Sequence, residues 1–131
     1  MSQSFRVLIV EDHDSLRQSL SELVQARGFE PLLAERGDRA LDLARTAHPD
    51  FGILDMHLPG GTGLELFQKI ATELGTLPSI MMSGEATSTE TQAALAAGIF
   101  SFLKKPIEID QLQRTLDRLI AHHFPPRKPL G

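Results

Sequence analysis

Three carboxylates, a hydroxyl and an amine stand at the ends of short apolar runs in this 131-residue chain. Glu11 and Asp12 follow FRVLIV, Asp55 closes FGILD, Ser83 follows PSIMM, and Lys105 comes just after FSFL. If those runs are neighbouring parallel strands, the three acids converge. Left alone they repel one another, and at least one would tend to stay protonated. A hard divalent cation resolves the conflict. Mg²⁺ suits it, because it takes carboxylate, carbonyl and water oxygens and usually only one or two carboxylates directly. A carboxylate is also a nucleophile towards phosphorus. Phosphoryl transfer needs the charge on the three equatorial oxygens neutralised from several sides. Lys105 can supply one side as a mobile point charge, and Ser83 can donate a hydroxyl hydrogen bond. Backbone amides after Asp55 and Ser83 add donors, with Gly84 permitting close approach. Each acid taken singly reads as a helix cap; three of them at strand ends do not.

The elements that must position these residues follow from an alternation of apolar runs and amphipathic stretches. Phe5–Val10 reads as a buried strand, and Ser15–Arg27 as a helix with Gly28 as its stop. Phe29–Ala34 is a weaker strand, and its Pro31 points to an edge position or a strand start. Asp38–Ala47 places Ala40, Leu43, Ala44 and Ala47 on one helical face and ends at His48-Pro49. Phe51–Asp55 is a third strand. Thr62-x-x-Glu65 has the form of a capping box before a helix with Leu66, Phe67, Ile70 and Leu74. Pro78–Met82 is a strand, Thr87-x-x-Glu90 opens an Ala-rich helix to Ala97, and Phe100–Leu103 is the fifth strand. Ile109–His122 is the last helix. Five βα units argue for an α/β fold, a doubly wound (βα)5 five-stranded parallel sheet with helices on both faces. Ligands of such sheets bind beyond the carboxyl ends of the strands, where four of the five carry reactive groups.

Composition narrows the class. One domain is expected over residues 1–123, followed by a Pro-rich tail or linker at 124–131 (FPPRKPLG). The net charge of −4 gives no basic surface for nucleic acid, and the absence of Cys excludes disulfides and thiolate metal sites. No stretch is apolar and long enough for a signal peptide or a membrane span, so a cytoplasmic domain is expected.

The ordered set VLIVEDHD, GILDMHLPGGTGLEL, PSIMMSG and AAGIFSFLKKP resembles the response-regulator receiver family of two-component signalling, over roughly residues 5–122. The resemblance implies the flavodoxin-like strand order 2-1-3-4-5. It implies Asp55 as phosphoacceptor, in the pattern Asp-x-x-x-Pro-x-x-x-Gly formed by Asp55, Pro59 and Gly63. Asp12 and Asp55 would bind Mg²⁺, with Glu11 acting through water and the His57 backbone carbonyl completing the protein ligands. Ser83 would be the hydroxyl switch, Phe102 the aromatic switch, and Lys105 the amine before a cis peptide to Pro106. His57 and Glu85 fall at the positions that tune dephosphorylation. The implied donor is a sensor histidine kinase or a phosphotransfer protein. A C-terminal effector domain outside this chain and a homodimer formed on phosphorylation are both compatible. No membrane contact and no direct nucleic-acid contact are expected, and no catalysis beyond the domain's own phosphorylation and dephosphorylation. Glu11 in place of Asp, Ser83 in place of Thr and Phe102 in place of Tyr depart from the commonest pattern.

Other readings are weaker. A phosphohydrolase resembling the haloacid dehalogenase family needs a second Asp two residues after the nucleophile, where this chain has His57. A receiver that binds without phosphorylation would not need the intact acid–Ser–Lys set. Gly60-Gly61-Thr62-Gly63 fits neither nucleotide-binding fingerprint. His13 lies beside the acidic pair without identifiable metal partners, and His48, His122 and His123 read as surface or helix-end residues.

Overall fold

The computed structural model describes residues 4–126, so the tail from 127 onwards lies outside the described residues. Five parallel strands form the sheet: β1 Arg6–Val10, β2 Glu30–Ala34, β3 Phe51–Asp55, β4 Ser79–Ser83 and β5 Ser101–Lys104. Their order is β2-β1-β3-β4-β5, the expected one. The helices are α1 Asp14–Ala26, α2 Gly37–Ala47, α3 Gly63–Leu74, α4 Ser88–Ala96 and α5 Ile109–His123. Pro31 lies in the edge strand β2, where a missing N–H costs no ladder bond on the open side.

The strand sequences are apolar throughout because both sheet faces are covered. Alternation divides them between two cores. Leu8, Val10, Leu54 and Met81 pack with Ala40, Ala44, Leu66, Phe67, Ile70 and Ala94 on one side. Val7, Ile9, Phe51, Ile53, Ile80, Met82 and Leu103 pack with Leu20, Val24, Leu112, Leu116 and Leu119 on the other. The first core is therefore roofed by α2, α3 and α4, and the second by α1 and α5. Phe124, the first residue of the expected tail, packs its ring 4.9 Å from that of Phe5.

Between β3 and α3 lies a short paired segment. His57–Leu58 and Gly61–Thr62 pair as a short antiparallel ribbon. Pro59 and Gly60 form its bend, and Gly60 takes the positive φ of 81° that the third position of a type II turn requires. The Thr62 cap forms only in part. Thr62 Oγ1 accepts from the Glu65 N–H at 3.1 Å, but the Glu65 carboxylate meets the Thr62 hydroxyl rather than its backbone N–H. Thr87 and Glu90, by contrast, make the full reciprocal box at α4.

Gly63 opens α3 directly against the end of β3. A Cβ there would collide with the Asp55 carbonyl and lie 3.3 Å from Met81 Cε. Gly63→Ala is expected to cost about 3 kcal/mol in urea unfolding, because backbone must move to admit the methyl. Gly61→Ala, whose Cβ would meet only the flexible Glu65 carboxylate at 3.7 Å, should cost far less.

Candidate functional site

Three of the five chemistry-bearing side chains share one side of the sheet's carboxyl end. Side chains alternate along a strand, so Glu11 continues the face of Val7 and Ile9, Asp55 that of Phe51 and Ile53, and Lys105 that of Leu103. Lys105 Nζ donates to Glu11 Oε1 at 2.6 Å and to Asp55 Oδ2 at 3.0 Å. The two carboxylates are buried, while the Lys105 side chain keeps 21% of its surface exposed. Burial works against the ammonium charge, but the bonds to Glu11 and Asp55 outweigh it and hold the Lys105 pKa above its ordinary value. The peptide joining Lys105 to Pro106 is cis, as expected.

The second oxygen of Glu11 is also engaged, while Asp12 is exposed beside it. Glu11 Oε2 accepts from the His13 backbone N–H at 3.0 Å and faces His13 Nδ1 at 3.2 Å. Asp12 Oδ1 lies 3.3 Å from the same ring nitrogen. Arg17, one turn into α1, donates to the Glu11 carbonyl at 2.8 Å and steadies that loop. Donor atoms of Glu11, Asp12, His13 and Asp55 all lie within 4.8 Å of one another. Three carboxylates against one ammonium leave negative charge to be balanced, and an oxygen-rich set of this kind suits a hard divalent cation such as Mg²⁺.

Ser83 belongs to the opposite face. It follows Met81, whose side chain lies in the core under α3 and α4. Ser83 Oγ accepts from the Glu85 N–H at 3.2 Å and lies 3.3 Å from His57 Nδ1. His57 in turn donates its backbone N–H to Asp55 Oδ1 at 3.2 Å. The structure thus joins Ser83 to Asp55 through His57. Glu85 is exposed and meets Ser83 only by its backbone among the described contacts. Phe102, half-buried, lines a cavity of about 400 Å³ with Ser83, Ala86, Thr91, Gln92 and Lys104.

The sequence reading did not place His13, Arg17 or Glu90 at this site. His13 had the signal of adjacency to Glu11 and Asp12. The second role of Glu90 beside His57 had none, because the contact joins a two-residue strand to the first turn of a helix 33 residues away in the chain.

Comparison with known proteins settles the family. The family profile described as "Response regulator receiver domain" matches residues 7–117. The chain belongs to the response-regulator receiver family. It is 35% identical over 117 residues to the KDP operon transcriptional regulatory protein KdpE of Escherichia coli K12, covering 89% of this chain and 52% of that one. It is 31% identical over 115 residues to the regulatory protein AtoC of the same organism, covering 88% of this chain and 25% of AtoC. This receiver domain therefore spans from a quarter to about half of those relatives. Among solved structures, the chemotaxis protein CheY4 of Vibrio cholerae superposes with a TM-score of 0.80 at 30% identity, covering 89% of this chain and 99% of that one. Among the described residues no helix is long and apolar enough to cross a membrane.

Removing the ammonium should expose the charge imbalance of this receiver. Lys105→Met is expected to lower stability by about 2 kcal/mol in metal-free urea titrations, since it strands buried carboxylates without their partner. Adding Asp55→Asn should recover part of that loss. Because the folded pKa of Lys105 is raised, its contribution is complete at neutral pH. It fades as pH climbs past the ordinary value of 10.5. The gap between parent and Lys105→Met should narrow there.

Proposed function

We propose that this receiver accepts a phosphoryl group on Asp55 from a phosphohistidine of a sensor histidine kinase or phosphotransfer protein, and that the change at Ser83 and Phe102 is read by a partner. The single observation that carries the reading is the Lys105 ammonium bridging Glu11 and Asp55 at 2.6 and 3.0 Å, beside an acidic cluster suited to a divalent cation. An Asp55 carboxylate oxygen forms the bond to phosphorus as the donor's phosphorus–nitrogen bond breaks, and the leaving imidazole takes up a proton. Lys105 Nζ, mobile and already on Asp55, turns towards the incoming phosphoryl oxygens. Asp12, Asp55 and the His57 carbonyl, with Glu11 through water, would hold Mg²⁺, which supplies charge neutralisation for those oxygens. Ser83 then gives its hydroxyl hydrogen to a phosphoryl oxygen, and Phe102 moves into the space beside it. This biases a two-state equilibrium without changing the fold. His57 and Glu85 border the path by which water would reach the phosphoryl group, and they tune its lifetime. AtoC and KdpE are regulatory proteins by name and longer than this chain, which supports a C-terminal effector as the reader and a cytoplasmic setting.

Acetyl phosphate with Mg²⁺ should add one phosphoryl group to the parent and none to Asp55→Asn, as read by intact-mass spectrometry. Uptake by Asp55→Asn equal to that of the parent would sink the assignment. Mg²⁺ at about ten times its Kd should raise Tm by about 5 °C through preferential binding to the folded site. Asp12→Asn should abolish that shift.

A further inference from the structure

We propose that His57 is a positioning residue that ties the Ser83 hydroxyl to the first turn of α4, so that the unphosphorylated arrangement of both is held by one imidazole ring. The proposal rests on the reading that Asp55 accepts the phosphoryl group and Ser83 is its hydroxyl partner.

The hydrogen-bond inventory of Ser83 leads to it. A hydroxyl has one hydrogen to give. The Glu85 N–H already occupies a lone pair of Ser83 Oγ at 3.2 Å, and His57 Nδ1 lies 3.3 Å away on another side. The far nitrogen of the ring, Nε2, faces Glu90 Oε2 at 3.7 Å, beyond hydrogen-bond range but within that of an ion pair. Whichever of the two gives the hydrogen, the Nδ1 contact fixes the direction in which Ser83 Oγ points. Ser83 must turn from the ring before its hydroxyl can reach a phosphoryl oxygen.

Glu90 carries the restraint into the helix. Its Oε1 accepts the Thr87 N–H at 3.0 Å, and the Thr87 hydroxyl accepts the Glu90 N–H at 3.1 Å. One carboxylate oxygen thus caps α4 while the other faces the ring. Little else holds this helix. Ala94 is its one buried residue, and Leu95 is 46% exposed. A contact at its first turn is accordingly a large share of what positions it. The His57 side chain is 48% exposed, so the ring can swing out, or be deleted, without opening a hole in the core.

Two variants test the tie. His57→Ala removes the ring. Glu90→Gln keeps an acceptor for the cap, since Gln serves in capping boxes, and loses the carboxylate that orients the ring. Amide hydrogen exchange over residues 88–96 is compared in the free proteins, and beryllofluoride affinity with Mg²⁺ is read by ¹⁹F NMR. Both variants are expected to speed α4 exchange. Both should bind beryllofluoride about threefold to tenfold more tightly, the span of one net hydrogen bond, and the double variant should gain no more than the stronger single. Parent-like α4 exchange in His57→Ala, or weaker beryllofluoride binding, overturns the proposal. If the parent itself binds no beryllofluoride, the Asp55 reading fails, and α4 exchange in the free proteins still decides whether His57 ties the helix.

Discussion

Two buried carboxylates on adjacent strands need a counter-charge, and in this receiver it arrives from two strands away. Glu11 follows β1 and Asp55 ends β3, while Lys105 follows β5 on the far side of β4. Only a long, flexible chain bearing a compact charge can make that crossing and still serve both oxygens. It passes the end of β4 at Gly84, where even an added Cβ would come within 3.6 Å of the Lys105 Cβ. The register of β5 is thus an electrostatic requirement of the site as well as a packing solution. Slipping β5 by one residue would turn Lys105 to the other face and leave Glu11 and Asp55 buried without a cation.

The same period of two separates the charged groups from Ser83 and Phe102. Glu11, Asp55 and Lys105 lie on the face covered by α1 and α5, whereas Ser83 and Phe102 lie on the face of α3 and α4. The sheet stands between them, and each side chain can reach the other group only around the strand ends. The loop after Asp55 makes that passage. His57 donates to Asp55 with its backbone and meets Ser83 with its ring. Gly63 keeps this loop short by letting α3 begin against the Asp55 carbonyl. Pro59 and Gly60 fold it back into a ribbon.

Most of the fold could be read from the sequence because its periodicities are strong. Runs such as VLIV and FGIL carry no polar side chain, which marks strands covered on both faces, and the helices other than α4 carry apolar stripes. The edge position of β2 was legible through Pro31. The acids, Ser83 and Lys105 could be found because strand ends in such sheets are where ligands bind. The ribbon at His57–Thr62 could not, since strands of two residues leave no period to detect. Nor could the position of Ser83 opposite the charges. Its pairing with His57 depends on the rotamers of two side chains 26 residues apart, and no local pattern encodes that.

The uneven hold on the two helices flanking β5 decides where a change at Ser83 can go. α5 buries Leu112, Thr115, Leu116 and Leu119, and Arg27 on the neighbouring element pins it through Gln113 and Asp117, each at 2.6 Å. Moving it would open the second core. α4 buries Ala94 alone and borders the cavity beside Phe102. Displacing it costs little apolar burial, and the space it would need is already present. Proteins respond at their least stable elements, and cores packed to crystal density do not deform gradually. A hydroxyl that shifts by one hydrogen bond at the end of β4 would therefore have an inexpensive outlet in the α4 and β5 face, because α3 and α5 are each anchored by several large buried side chains.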